Sequence, residues 1–167
     1  HEIAAVLAPM QDERKQAAAG REFWVGHLHG QEVVAVLSRI GKVAAATTAT
    51  ALIERLCVDR ILFPGVAGGL AAGVERGHVV VAERFLQHDL DASPIFPRYE
   101  VPLYGRSSFA TDDAMTAQLE AAVQRALPGT RLHRGLVVSG DRFVATTAES
   151  RAMQAALPDA LAVEMEG

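Results

Sequence analysis

Leu161-Ala-Val-Glu-Met-Glu-Gly167 stands at the end of the sequence and decides how the rest is read. An apolar run passes into two carboxylates that bracket a methionine, and a glycine follows. In an extended backbone Glu164 and Glu166 project to one face and Met165 to the other. An apolar strand that ends in acidic residues and a glycine marks the carboxyl end of a sheet strand. Open α/β sheets bind their ligands at that end. Like charges so close raise one another's pKa unless they meet donors such as sugar hydroxyls. Taken alone, the heptamer reads more simply as a strand end whose glutamates point into water, because charged residues usually sit exposed.

The chain has 167 residues, enough for one domain with a core. Half of them are hydrophobic and many of these are alanine, a composition suited to helices packed closely on a sheet. A net charge of −4 predicts no broad attraction to nucleic acid or acidic membranes. Cys57 is the only cysteine, so no internal disulfide forms, and a reducing, cytoplasmic compartment is expected. It reads as a buried structural thiol, without an activating partner. Ile3 to Leu7 is too short an apolar run for a signal peptide or a membrane span.

Alternation of strand and helix signals runs along the chain. Glu2 to Ala8 reads as a buried first strand. Arg21 to Leu28 and Gln31 to Ser38 are β-rich runs joined at Gly30, a hairpin signal. Val43, Ala46, Ala49, Leu52, Ile53 and Leu56 recur at helical spacing. Asp59 to Phe63 predicts a short buried strand, broken by Pro64 and Gly65. His78 to Phe85 predicts another. Gln87 to Ser108 carries three prolines and few periodic signals. Segments of that length are usually functional or disordered. Phe96, Tyr99 and Tyr104 argue for packing, on this chain or on a second subunit. Thr111 predicts an N-cap, followed by Asp112 and Asp113, for a helix to about Leu127. Arg131 to Ser139 is a strand. Thr146-Thr-Ala-Glu149 is a capping-box pattern for a last helix that ends near Leu157. The pattern predicts a mixed α/β layer fold.

Three further constellations bear on chemistry. The Gly65-Val-Ala-Gly-Gly69 turn follows an apolar run. Its glycines admit either a close-lying ligand or simply a tight turn. Ser139-Gly-Asp-Arg-Phe-Val144 leaves another strand end, and Phe143 offers a ring for stacking a planar base or for a core. Glu13 lies just past the first expected strand, on the same rim as Glu164 and Glu166 if that part of the sheet is parallel. His27 with His29, and His88-Asp-Leu-Asp91, do not supply the three protein ligands of a catalytic zinc site, so no metal is expected.

Four stretches carry a resemblance: Ser38-Arg-Ile-Gly-Lys-Val-Ala-Ala45, Gly65-Val-Ala-Gly-Gly-Leu70, Val138-Ser-Gly-Asp-Arg-Phe143 and Val163-Glu-Met-Glu-Gly167. In this order and spacing they resemble the 5′-methylthioadenosine/S-adenosylhomocysteine nucleosidases, within the nucleoside phosphorylase superfamily. The resemblance implies a three-layer α/β/α fold with a central mixed sheet, a homodimer and no cofactor. It implies hydrolysis of the N-glycosidic bond between adenine and a 5′-thio-substituted ribose. By the same resemblance Glu13 activates the attacking water, Glu166 holds the ribose hydroxyls, and Glu164 lies beside it. Met165 and Phe143 line ribose and base, and Val144 presents backbone groups to adenine. Ala67 and Gly68 form the floor, Ile40 the wall near the 5′ group, and Phe96 or Tyr99 reaches a partner subunit's site.

The family also carries, beyond the position of Gly167, a strand with Ser-Asp whose aspartate protonates adenine N7. A single nucleosidase-like domain over 1–167 is therefore expected, lacking its C-terminal part and part of the first helix after Glu13. Two alternatives remain: a purine nucleoside phosphorylase on the same fold, and a non-catalytic nucleoside-binding domain. Val66 stands where the family usually has serine. With Phe63 and Pro64 beside it, that turn offers no charged donor to a phosphate, which favours water as nucleophile.

Overall fold

The computed structural model describes residues 2–167. Contacts sort the chain into two compact units, one of residues up to Gly65 together with Glu166, the other of Val66 to Met165 together with Gly167.

The first unit opens with helix α1 (Glu2–Leu7) and continues into strands β1 (Gln11–Ala18), β2 (Arg21–Leu28) and β3 (Gln31–Val36), then helix α2 (Lys42–Leu56). The strands form an antiparallel sheet in chain order. Two-residue turns join them. Ala19 and Gly20 have φ of 49° and 70°, His29 and Gly30 of 49° and 79°. Positive φ at both central residues is the signature of the turns that match strand twist in tight hairpins. The second is the hairpin read from Gly30. Strand β1 is a charged edge, exposed until Ala18, and charge on an edge discourages further pairing.

Phe23, fully buried, forms the centre of this unit's core with Ala51 and Leu52 of α2. Arg21 adds a polar tie. Its Nε donates to Thr48 Oγ1 at 2.5 Å, and its terminal nitrogens donate to the Ala19 and Ala44 carbonyls at 2.7 and 2.9 Å. A buried guanidinium is tolerable because its donors are used in this way.

The second unit holds β4 (Gly68–Gly69), β5 (Val79–Gln87), β6 (Ser108–Ala110), α3 (Asp113–Ala126), β7 (Leu132–Ser139), α4 (Thr147–Ala156) and β8 (Ala160–Glu164). Its mixed sheet has the order β4-β8-β7-β5-β6. Strand β7 is central and runs parallel to both β5 and β8. Leu136, Val137, Val138 and Ser139 are all buried, the continuous run expected of a strand covered on both faces. Leu136 and Val138 cluster with Leu86, Ala160 and Val163, and Met153 and Leu157 of the α4 region pack on them. Val137 points to the other side by strand alternation. Helix α3 lies against β5 and β7. Helix α4 has the expected capping box, with Thr146 and Glu149 exchanging hydrogen bonds.

Four expectations change. Residues 2–7 are helical rather than a buried strand. Alanine, leucine and glutamate are strong helix formers, and a short apolar run does not by itself distinguish strand from helix. Asp59 to Phe63 joins neither sheet, and Leu62 is 59% exposed. An apolar run becomes a strand only where a neighbour offers a ladder, and Pro64 removes a donor at its end. Cys57 is exposed, with φ of 52° at the end of α2. It takes the left-handed position that ends many helices. The cap of α3 is Asp112, which accepts from the Met115 amide at 2.7 Å. Thr111 instead donates to the Ala82 carbonyl and bonds the Thr116 hydroxyl.

Leu136→Ala should cost about 2–5 kcal/mol, the range for truncating a buried leucine. Urea denaturation measures it, and a loss below about 1 kcal/mol would remove this cluster from the core.

Candidate functional site

Parallel pairing brings the carboxyl ends of three strands to one rim of the second unit. Gln87 of β5 pairs with Ser139 of β7, and Ser139 with Glu164 of β8. On the far side of β8, Gly68 lies opposite Val163. A Cβ at Gly68 would stand 3.3 Å from Val163 Cγ1, and one at Gly69 would stand 2.9 Å from the Val74 carbonyl oxygen. Gly69 therefore answers to close backbone packing, and Gly68 to a tight side-chain contact.

Ser139 has no exposed surface, and its hydroxyl donates to Glu164 Oε1. The other oxygen of Glu164 accepts the Gly167 amide at 2.8 Å, and its carbonyl accepts the Gly140 amide at 3.2 Å. The Ser139 carbonyl accepts from the His88 amide at 2.9 Å. Gly140 lies so close to the His88 ring that an added Cβ would come within 2.3 Å of Nε2. Similarly, a Cβ at Gly167 would come within 2.4 Å of the Phe85 ring.

Beyond Gly140 the chain loops out before α4. The Asp141 amide donates to Asp89 Oδ2 at 2.8 Å. Phe143 is 75% exposed, so its ring is no core phenylalanine, while Val144 packs on the buried cluster. Met165 is half-buried, and Ala67 and Gly68 are exposed. In the long segment after β5, Tyr99 packs on the same cluster and Phe96 is half-buried. Asp91 turns that segment by accepting the Ser93 hydroxyl at 2.5 Å and amide at 3.1 Å. These two bonds hold its carboxyl below the usual carboxylate range.

In the first unit Glu13 lies within β1 rather than past the end of a strand. Asp12 and Glu13 together oppose Gly26 in a bulge between the pairs Gln11–His27 and Arg14–Val25. Bulges re-aim side chains, and Glu13 is exposed. A Cβ at Gly26 would meet the Gln11 carbonyl oxygen at 2.6 Å, so only glycine fits opposite the bulge. Ile40 is 76% exposed ahead of α2. Gly41, the N-cap of α2, has φ of 99° and offers no side-chain cap, and no acidic residue lies in the first turn. Glu166 supplies the missing carboxylate, its Oε1 accepting the Gly41 amide at 3.1 Å. A carboxylate is favoured there by the helix dipole.

Within the second unit the structure thus gathers Gly68, Phe143, Val144, Glu164 and Met165 around the strand ends. In the first it places Glu166 at the start of α2, next to Ile40, and Glu13 on the edge strand. Ser139, His88 and Asp89 hold this rim, a part that sequence patterns did not assign to them. A serine directly after the apolar run Leu136-Val-Val138 was the available signal for the first. Among the described residues no three His, Cys, Asp or Glu side chains are gathered to hold a metal ion.

The description "Phosphorylase superfamily" belongs to a family model that matches residues 1–167. The chain is 33% identical over 166 residues to a 5′-methylthioadenosine/S-adenosylhomocysteine nucleosidase of Marinomonas sp., covering 99% of this chain and 71% of the relative. It is 35% identical to a nucleosidase of the same description from Oceanobacillus iheyensis, with the same coverage. The crystal structure of the Neisseria meningitidis nucleosidase in complex with methylthio-immucillin-A superposes with a TM-score of 0.93. Identity there is 31%, over 99% of this chain and 71% of that one.

Gly140→Ala should cost about 1–3 kcal/mol through overpacking against the His88 ring. Thermal unfolding of Gly140→Ala and of the double variant with His88→Ala tests this. The second substitution should restore most of the loss, and additive losses would refute the contact as the cause.

Proposed function

This chain belongs to the phosphorylase superfamily and, within it, to the 5′-methylthioadenosine/S-adenosylhomocysteine nucleosidases, and from that premise we propose how its residues carry out the family's reaction. The reaction is hydrolysis of the N-glycosidic bond between adenine and a 5′-thio-substituted ribose, making the chain an N-glycosidase. The observation that carries this reading is the convergence of Ser139, Glu164 and Gly68 at the carboxyl ends of the second unit's strands. Ligands of open α/β sheets bind at such ends.

Departure of adenine leaves positive charge growing on the ribose. Glu166 binds the ribose hydroxyls, and with Glu164 it provides negative charge where that positive charge develops. Phe143 stacks on the base and Met165 lies against the ribose, while the Val144 backbone addresses adenine. Ala67 and Gly68 form the floor, and Ile40 borders the 5′ substituent. Glu13 takes a proton from the water that attacks C1′. On the resemblance, the proton for adenine N7 comes from the aspartate that the family carries after the position of Gly167. Phe96 or Tyr99 serves the site of a partner subunit in a cytoplasmic homodimer. No helix among the described residues is long and apolar enough to cross a membrane.

Water rather than phosphate is the nucleophile in this reading. Phe63, Pro64 and Val66 give the glycine turn no side-chain donor for an anion, and a buried phosphate needs charge-assisted donors.

Adenine release from methylthioadenosine by the full-length protein should proceed in phosphate-free buffer and be unchanged by added phosphate. Glu13→Gln should lower turnover about 10²–10⁴-fold, the usual contribution of a general base, with the circular dichroism spectrum intact. Phosphate-dependent release would indicate a phosphorylase instead, and near-normal turnover in the variant would remove Glu13 from the mechanism.

A further inference from the structure

We infer that Glu149 and Asp89 are positioning residues for the nucleobase: two carboxylates outside the loop that follows β7 hold its backbone so that Phe143 is presented outward. The inference rests on the nucleosidase reading and adds the device that orders its base-stacking side.

An exposed aromatic ring on a loop ordinarily samples several positions, and ordering it on binding weakens affinity. Here the loop is held at three points. At its start, the Asp141 amide donates to Asp89 Oδ2 at 2.8 Å. At its end, Glu149 Oε2 accepts the amides of Ala145 and Thr146, both at 3.1 Å, and the Thr146 hydroxyl at 3.0 Å. The other oxygen of Glu149 accepts from the Arg142 guanidinium. Between these points Val144 packs on the buried cluster. Its neighbour Phe143 stays 75% exposed, and the loop backbone that carries the ring has little freedom left.

Helix capping accounts for the Thr146 contacts but not for the others. A capping box needs only the N-cap amide and hydroxyl, both on Thr146. The Ala145 amide and the Arg142 guanidinium lie on the loop side of the cap, and Asp89 is not part of the helix at all. The hydrogen bonds reach back along the loop from both sides and leave Phe143 between them.

Equilibrium dialysis with adenine as the probe, on the full-length protein, tests the inference. Glu149→Ala should weaken adenine binding about three- to tenfold, the equivalent of re-ordering one or two free side chains on binding. Glu149→Gln retains an oxygen for the loop amides and should restore most of the affinity. With Phe143→Ala already present, Glu149→Ala should change affinity less than about twofold, because residues acting through one group are not additive. Unchanged affinity in Glu149→Ala, or its full loss added to that of Phe143→Ala, overturns the inference. Should Glu149→Ala fail to fold, Asp89→Ala carries the same cycle from the loop's other end. A wild-type protein that does not bind adenine overturns the nucleosidase reading instead.

Discussion

The hydroxyl of Ser139 and the carboxylate of Glu164 meet where two parallel strands end, and the second unit's rim depends on that bond. Ser139 is wholly buried, and a buried hydroxyl left unpaired is costly. Its partner can stand there only if β7 and β8 keep the register that aligns residue 139 with residue 164. A slip of one residue would turn the carboxylate to the opposite face and leave the hydroxyl alone. A polar pair thus reinforces the register that the apolar run of β7 already favours.

From this bond the neighbouring geometry follows. With the Ser139 carbonyl taken by the His88 amide, the His88 ring settles against residue 140, which has to be glycine. The chain then leaves the sheet into a loop tied down by carboxylates and by Val144. With the loop backbone held by its neighbours' hydrogen bonds, the backbone share of the cost of ordering a surface aromatic is met within the fold.

The first unit solves a different problem. Helix α2 begins at a glycine with positive φ and without a side-chain cap. A carboxylate far along the chain, Glu166, takes the first amide, while Arg21 binds sheet to helix through Thr48 and Ala44. The carboxylate satisfies an amide that the helix start leaves without an intrahelical partner, and the bonds of Arg21 give a buried guanidinium its acceptors.

Local physics makes much of the chain legible from its residues alone. The hairpin at Gly30, helix α2, helix α4 with its capping box and the apolar strand β7 depend on neighbours within a few residues, so their signals lie in adjacent letters. The motifs around Gly68, Ser139 and Glu164 are recognisable by their order. Pairing between distant segments is not readable in this way. The runs at 2–8 and 59–63 are short and apolar, which leaves strand and helix undistinguished, and a strand exists only where another edge accepts its hydrogen bonds; neither run joins a sheet. The bulge that carries Glu13, the reach of Glu166 to Gly41 and the contact of His88 with Gly140 each join residues far apart in sequence or across strands. Composition and spacing carry no record of such meetings, because they follow from which surfaces the folded backbone leaves facing one another.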